Sequence, residues 1–176
     1  SNFQIINIKQ TINFSSFDIK INIPSKKKII NGIKLPMIGT HNIQNATAAI
    51  ALAFTIGLPE KCIKAGLYNF KGVQRRFSHL FDHNKISFYD DYAHHPTEIS
   101  SVLNGVEKVY KNKEIVCIFQ PHRISRVMSL KKEFSKCFKK ADTVLLCPIF
   151  TANEKLKLNF TYNSFAKLII KNSNVR

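Results

Sequence analysis

From Val73 onward, short continuous apolar runs alternate with segments of helical period, and this alternation constrains the fold more than any other feature. Residues 77–81 and 86–89, separated by a turn at 82–85, read as a β-hairpin. Residues 96–110 read as an amphipathic helix, with Ile99, Val102, Leu103, Val106 and Val109 on one face. Residues 115–119 form a continuous apolar strand, 125–140 a helix with Leu130, Phe134, Cys137 and Phe138 inward, 144–150 another buried strand, and 161–171 a last helix. Buried strands separated by helices call for a mainly parallel sheet covered on both faces, a Rossmann-like α/β arrangement.

The preceding stretch has a different rhythm. Residues 1–37 alternate polar and apolar side chains, with Phe3, Ile5, Ile6 and Ile8, then Phe17, Ile19, Ile21 and Ile23, then Ile33, Leu35 and Met37. They read as antiparallel strands, with Pro24 and the lysine run 26–28 as a solvated turn. Gly39-Thr40-His41-Asn42 opens a helix whose apolar residues Ile43, Ala46, Ala49, Ile50, Ala53 and Phe54 recur at helical spacing until Gly57 stops it. A second helix starts at Pro59 and carries Ile63, Leu67 and Phe70. The linker is expected within 70–75, giving domains 1–72 and 73–176. Because the chain begins at Ser1 within a strand pattern and stops where a further strand is due, it is expected to be a piece of a longer protein, with the second domain truncated.

The 176 residues carry a net charge of +16. The lysines are scattered, and Lys, Asn and Ile are abundant together, as AT-rich coding produces. The alternative is attraction to polyanions, which would make the chain a basic nucleic-acid-binding module. The four cysteines, Cys62, Cys117, Cys137 and Cys147, make no C-x-x-C pair and sit among apolar residues, so buried free thiols in a reducing cytosol are expected. No apolar run is long enough to span a bilayer. Oligomeric state is not legible.

In a parallel α/β sheet, ligands bind beyond the carboxyl ends of the strands. Three polar clusters fall there: Asp90 to His95, Gln120 to Arg126, and Thr151-Ala152-Asn153-Glu154. Arg123 and Arg126 project from nearly one face at a helix start, where two guanidinium forks suit a carboxylate or phosphate. The alternative is a salt bridge to a neighbouring acid. His122 is a candidate to orient a substrate or to cap the helix. Arg75 and Arg76, next to the domain junction, are either surface charges or a phosphate clamp. Asp90, Asp91, His94 and His95 invite a metal reading. A strand, however, sends Asp90 and Asp91 to opposite faces, so no metal site is assigned, and a nucleotide ribose suits the carboxylate better. His41, Asn42 and Asn45 sit at the first turn of a helix. Asn42 is a candidate N-cap, and the amide of Asn45 can donate to and accept from an adenine edge.

Four motifs occur in order: Gly39-Thr40-His41-Asn42-Ile43-Gln44-Asn45-Ala46, Gly72-Val73-Gln74-Arg75-Arg76-Phe77, Asp90-Asp91-Tyr92-Ala93-His94-His95-Pro96-Thr97-Glu98 and Phe119-Gln120-Pro121-His122-Arg123. Together they resemble the Mur ligase family, and within it the branch that adds L-alanine to UDP-N-acetylmuramate. The resemblance runs nearly the whole chain and is weakest over the first 37 residues. It implies the end of a central ATPase domain followed by an incomplete Rossmann-like C-terminal domain, in a cytoplasmic enzyme of peptidoglycan synthesis that works through an acyl phosphate. It implies ATP and Mg2+, with the magnesium ligands and the phosphate loop upstream, since nothing here matches G-x-x-x-x-G-K-[ST]. The fragment alone is therefore expected to be inactive. By similarity His41, Asn42 and Asn45 border the adenine, Arg76 with Arg75 reaches the phosphates, and Asp91 holds the ribose. Tyr92, His94, His122, Arg123 and Arg126 shape the alanine site, with Arg76 and His94 the candidate catalytic residues. Small-molecule substrates are implied, with no nucleic acid and no membrane. The related branch that reattaches recycled peptides is the nearest alternative; Gln120-Pro121-His122-Arg123 favours alanine addition. Ile124 stands where the family usually has an aromatic residue, and Asn153 where it often has glycine.

Overall fold

The computed structural model describes residues 2–24, 26–154 and 161–176. It is mixed α/β and divides into two compact units, Ser1–Asp90 and Asp91–Arg176.

In the first unit, β1 (Phe3–Gln10), β2 (Ser15–Ile23) and β3 (Lys26–Leu35) form an antiparallel sheet in that order. Period-two alternation on the central strand sends Phe17, Ile19 and Ile21 inward, each at most 1% exposed. They pack with Ile30 and Ile33 of β3, with Ile43 and Ile50 of α1 (Thr40–Thr55) and with Ile63 of α2 (Glu60–Tyr68). The strand-then-helix order is as expected. The lysine run 26–28 is not a turn, however: it opens β3 and pairs with Ile23, Asn22 and Ile21. Ladder pairing outweighs the local charge, which is exposed, and Lys28 forms an ion pair with Glu60.

Ile30 and Ile33 both face the core although they are three residues apart. Phe17 pairs with Ile33 while Ile19 pairs with Ile30, so β3 carries one extra residue, a bulge. Gly32 turns there at φ +65, a region that a Cβ disfavours. A second bulge lies in β1, where Ile6 pairs with Asp18 and Lys9 with Ser16, and Asn7 has φ +55. Asp18, on the strand between them, is bonded to both. Its Oδ1 accepts from the Gly32 amide at 2.7 Å and its Oδ2 from Asn7 Nδ2 at 2.7 Å. These bonds, the Asn7 one foremost, hold the Asp18 carboxyl below its usual 3.8.

β4 (Ser78–His83) and β5 (Ile86–Asp90) form the expected hairpin. Asn84 and Lys85 both have positive φ, +48 and +66, the type I′ pattern whose twist matches the strands.

In the second unit, β6 (Val116–Phe119) and β7 (Thr143–Leu146) pair in parallel. The ladder runs on past the strand ends through Cys147 N to Phe119 O, Phe150 N to Pro121 O and a His122–Phe150 bridge. α3 (Pro96–Val109), α4 (Ile124–Ser129), α5 (Lys131–Phe134) and α6 (Tyr162–Ser173) surround a core that includes Ile99, Leu103, Phe119, Phe134, Phe138 and Phe165. Arg176 exchanges backbone bonds with Asp142 and Val144, beside β7. Three expectations change. The helix expected over 125–140 breaks at Leu130 (φ −111, ψ 25) and continues as α5 and turns, although Phe134, Cys137 and Phe138 stay inward. Among the described residues the sheet is not covered on both faces, for Val116, Ile118 and Leu145 are each more than half exposed. Cys62 is exposed rather than buried, whereas burial raises the thiols of Cys117 and Cys137 to about 11 and about 12.

Candidate functional site

The segment between β5 and α3 is held by its own side chains. Pro96 is the first helical residue and His95 the N-cap. His95 Nδ1 accepts from the Thr97 amide at 3.3 Å, and Glu98 Oε2 accepts from the amides of His95 at 3.2 Å and His94 at 3.0 Å. This is a capping box, with histidine in the place of the usual hydroxyl residue. His95 and Glu98 are thereby committed to the helix start. His94 does not cap the helix with its ring: its Nδ1 lies 2.8 Å from the Tyr92 carbonyl and 3.8 Å from Glu98 Oε2. A carbonyl only accepts, so Nδ1 carries the hydrogen, and in the neutral ring Nε2 carries the lone pair. The Tyr92 ring, 44% exposed, meets the His94 ring edge-on at 5.1 Å. The two adjacent aspartates serve different partners: Asp90 accepts from Arg75 Nε at 3.1 Å, and Asp91 from the Ala93 amide at 2.7 Å.

Two further segments line up beyond the ends of β6 and β7. Arg123, at φ +68, donates its amide to the Phe150 carbonyl at 2.8 Å. The His122 ring packs on the Phe150 ring at 4.6 Å. Burial first, then the positive charges of Arg126, His94 and Arg123, push the His122 imidazole below its usual 6.5. His94, His122, Arg123 and Arg126 thus share one electropositive corner. Within it Arg126 Nη1 is buried and has no hydrogen-bond partner among the described residues.

The two arginines were expected to face a carboxylate or phosphate beside the helix start at α4. That start is itself occupied. Ser125 donates its amide to Glu154 Oε2 at 2.9 Å and its hydroxyl to Glu154 Oε1 at 2.6 Å. These bonds, the hydroxyl one foremost, hold the Glu154 carboxyl below its usual range. Glu154 is delivered by a turn in which Ala152 and Asn153 have φ +52 and +66 and the Glu154 amide bonds to the Thr151 carbonyl at 3.1 Å. That conformation favours Gly or Asn, which accounts for asparagine at a position where the family resemblance leads to glycine. Ile124 is 1% exposed.

In the first unit, α1 starts at Thr40 with Gly39 as N-cap, so Asn42 is not the cap it was expected to be. Already inside the helix, it reaches back with Nδ2 to the Ile38 carbonyl at 2.7 Å. Gly39 has φ +96, a conformation that favours glycine, and a Cβ there would lie 2.6 Å from Cε1 of the His41 ring, which would have to move aside. Asn45 is exposed one turn on, and the side chains of Arg75 and Arg76 are exposed ahead of β4. The second unit therefore gathers Tyr92, His94, His122, Arg123 and Arg126, and the first carries His41, Asn42 and Asn45 along α1. The roles of Glu98 and Glu154 were not foreseen. Glu98 stands three residues after the cap, a legible signal, whereas nothing in the sequence links Glu154 to Ser125.

Residues 75–169 match the Mur ligase, glutamate ligase domain. Over its whole length the chain is 64% identical to a UDP-N-acetylmuramate–L-alanine ligase of Pelagibacter ubique, of which it spans 38%. A protein of the same name from Mesorhizobium japonicum is 46% identical over 80% of the chain, which corresponds to 30% of that relative. Among solved structures, UDP-N-acetylmuramate-alanine ligase from Thermotoga maritima superposes with a TM-score of 0.72 at 30% identity, covering 95% of this chain and 34% of that one. A murein peptide ligase from Psychrobacter arcticus, also 30% identical, gives 0.56, covering 83% of this chain and 30% of that one.

Proposed function

Because the chain belongs to the Mur ligase family, we propose that it is part of an ATP-dependent ligase that joins L-alanine to UDP-N-acetylmuramate in cytoplasmic peptidoglycan synthesis. The observation that carries the alanine assignment is the buried, unpartnered Nη1 of Arg126 in a corner shared with Arg123, His122 and His94. A planar guanidinium held without a partner suits a small carboxylate. The Pelagibacter ubique relative, named for L-alanine, supports the choice over recycled peptides.

The reaction has two steps. The muramyl carboxylate attacks the γ-phosphorus of ATP, ADP leaves, and an acyl phosphate forms. The alanine amine then attacks its carbonyl carbon, and the tetrahedral intermediate expels phosphate. Arg123 and Arg126 hold the alanine carboxylate, with Tyr92 and His122 shaping the site. The His94 tautomer leaves Nε2 able to take the proton that the alanine nitrogen must lose. Asp91, whose Oδ1 also accepts from the Ala93 amide, supplies the carboxylate for a ribose hydroxyl. Asn42, its Nδ2 committed to Ile38, presents its oxygen to the adenine, with His41 and Asn45 beside it. Arg76, with Arg75, meets the phosphates and supplies positive charge as negative charge moves onto them. Magnesium neutralises phosphate charge in such reactions. Among the described residues no group of three His, Cys, Asp or Glu side chains can hold a metal, so none is assigned to it. The family match beginning at residue 75 supports a domain boundary at 72–73, whereas the two compact units divide at Asp90, with the β4–β5 hairpin in the first. No described helix is long and apolar enough to cross a membrane.

The test is substrate choice by the full-length enzyme with ATP and UDP-N-acetylmuramate. Preference for L-alanine over a tripeptide is expected, and strong preference for the tripeptide would overturn the reading. Chain 1–176 by itself is expected to show no alanine-dependent ATP hydrolysis, because it contains no phosphate loop. Steeply salt-dependent DNA or RNA binding would instead favour the basic-module alternative.

A further inference from the structure

We propose that Glu154 is a positioning residue for amino-acid recognition: by chelating Ser125 it sets the angle at which the start of α4 presents Arg123 and Arg126. The inference rests on the alanine reading above. Ser125 lies between the two arginines, and both carboxylate oxygens of Glu154 are spent on it, one on the amide at 2.9 Å and one on the hydroxyl at 2.6 Å. A second tie from the same segment holds the other end, where the Arg123 amide is bonded to the Phe150 carbonyl at 2.8 Å. Two anchors four residues apart, Phe150 and Glu154, therefore grip three residues, 123–125, and leave little freedom in the direction of the Arg126 side chain that follows. The turn that delivers Glu154 is itself held in a conformation that L-residues disfavour, with Ala152 at φ +52. Glu154 is only partly buried and is not a member of the apolar core, so a purely packing role does not account for it. Among the described residues its side-chain hydrogen bonds go to Ser125 and not to an arginine side chain. Its negative charge lies near Arg123 while its hydrogen bonds go to Ser125, so it directs the arginines and leaves their guanidinium groups to a ligand.

The experiment uses the full-length enzyme and steady-state kinetics with each substrate varied in turn. Wild-type turnover of L-alanine is measured first; if there is none, the functional reading falls and takes this inference with it. Glu154→Ala removes both acceptors and is expected to raise the KM for L-alanine about tenfold, with the KM for ATP and for UDP-N-acetylmuramate within about twofold. Glu154→Gln keeps an oxygen for the Ser125 amide and an N–H for its hydroxyl, and is expected to recover most of the loss. An unchanged alanine KM in Glu154→Ala overturns the proposal, as does a parallel rise in all three KM values. Ser125→Ala removes only the hydroxyl contact and serves where Glu154→Ala does not fold. A smaller but selective rise in the alanine KM is expected, and no rise overturns the proposal.

Discussion

Arg126→Met separates what this residue does for the fold from what it does for a ligand. In the free chain the buried Nη1 has no partner among the described residues, and it lies in a corner that already holds the positive charge of Arg123. A buried unpaired donor costs about 1–3 kcal/mol. Met keeps a straight apolar stem of similar length, so the packing beside Val127, which is 0% exposed, is largely retained. Only one of the guanidinium nitrogens is so buried, and the low end of the range applies. The second unit is expected to gain about 1 kcal/mol, which slows native-state hydrogen exchange at core amides such as Phe134 and Phe165 about fivefold. In the full-length enzyme the same change removes charge-assisted bonds of about 1.5–3 kcal/mol to the alanine carboxylate, so its KM rises roughly ten- to a hundredfold. Faster exchange would mean that the guanidinium stabilises the fold. Slower exchange with an unchanged alanine KM would leave its burial without purpose in the reaction. Either result refutes the reasoning.

Asp18→Ala is expected to destabilise the first unit by about 2 kcal/mol at neutral pH, by loss of two charge-assisted bonds at a half-exposed site. Because the folded carboxyl lies below its unfolded value of about 3.9, this contribution is full above that pH and disappears as pH falls through the folded value. Exchange rates of wild type and variant should therefore converge in acid, and a gap that persists there contradicts the clamp. His122 has its folded value pushed down, so its neutral form is favoured. The second unit should lose stability as pH falls below about 6.5, and His122→Gln should flatten that slope in urea titrations. At Asn153, with φ +66, glycine should be neutral or stabilising and valine destabilising by more than about 1 kcal/mol, read as a shift in thermal midpoint.

Much of this molecule was legible because its signals are local. Asn84 and Lys85 sit between two alternating runs, and the hairpin follows from the turn they form. The break between Asp90 and Pro96 marks a strand end and a helix start that the chain has. What was not legible depends on pairing at a distance. The lysine run 26–28 looks solvated and is solvated, yet it is strand because β2 lies beside it. His95 looked like a member of a titratable cluster, and only the backbone path shows its nitrogen spent on capping. The start of α4 looked open because its occupant, Glu154, comes 29 residues later. The break at Leu130 has no proline or glycine to announce it.

The Asp18 clamp has a consequence for how this sheet can change by descent. Each of its two bulges contains one residue in the left-handed region, and both refer to the same carboxylate. Once Asp18 is lost, Asn7 no longer has the bond that favoured its conformation, and a further change there costs less than it would have before. Substitutions at Asn7, Asp18 and Gly32 are therefore expected to be non-additive, with the order in which they arise deciding which are tolerated. A lineage that drops the aspartate is free to straighten either outer strand, while one that keeps it inherits both kinks together.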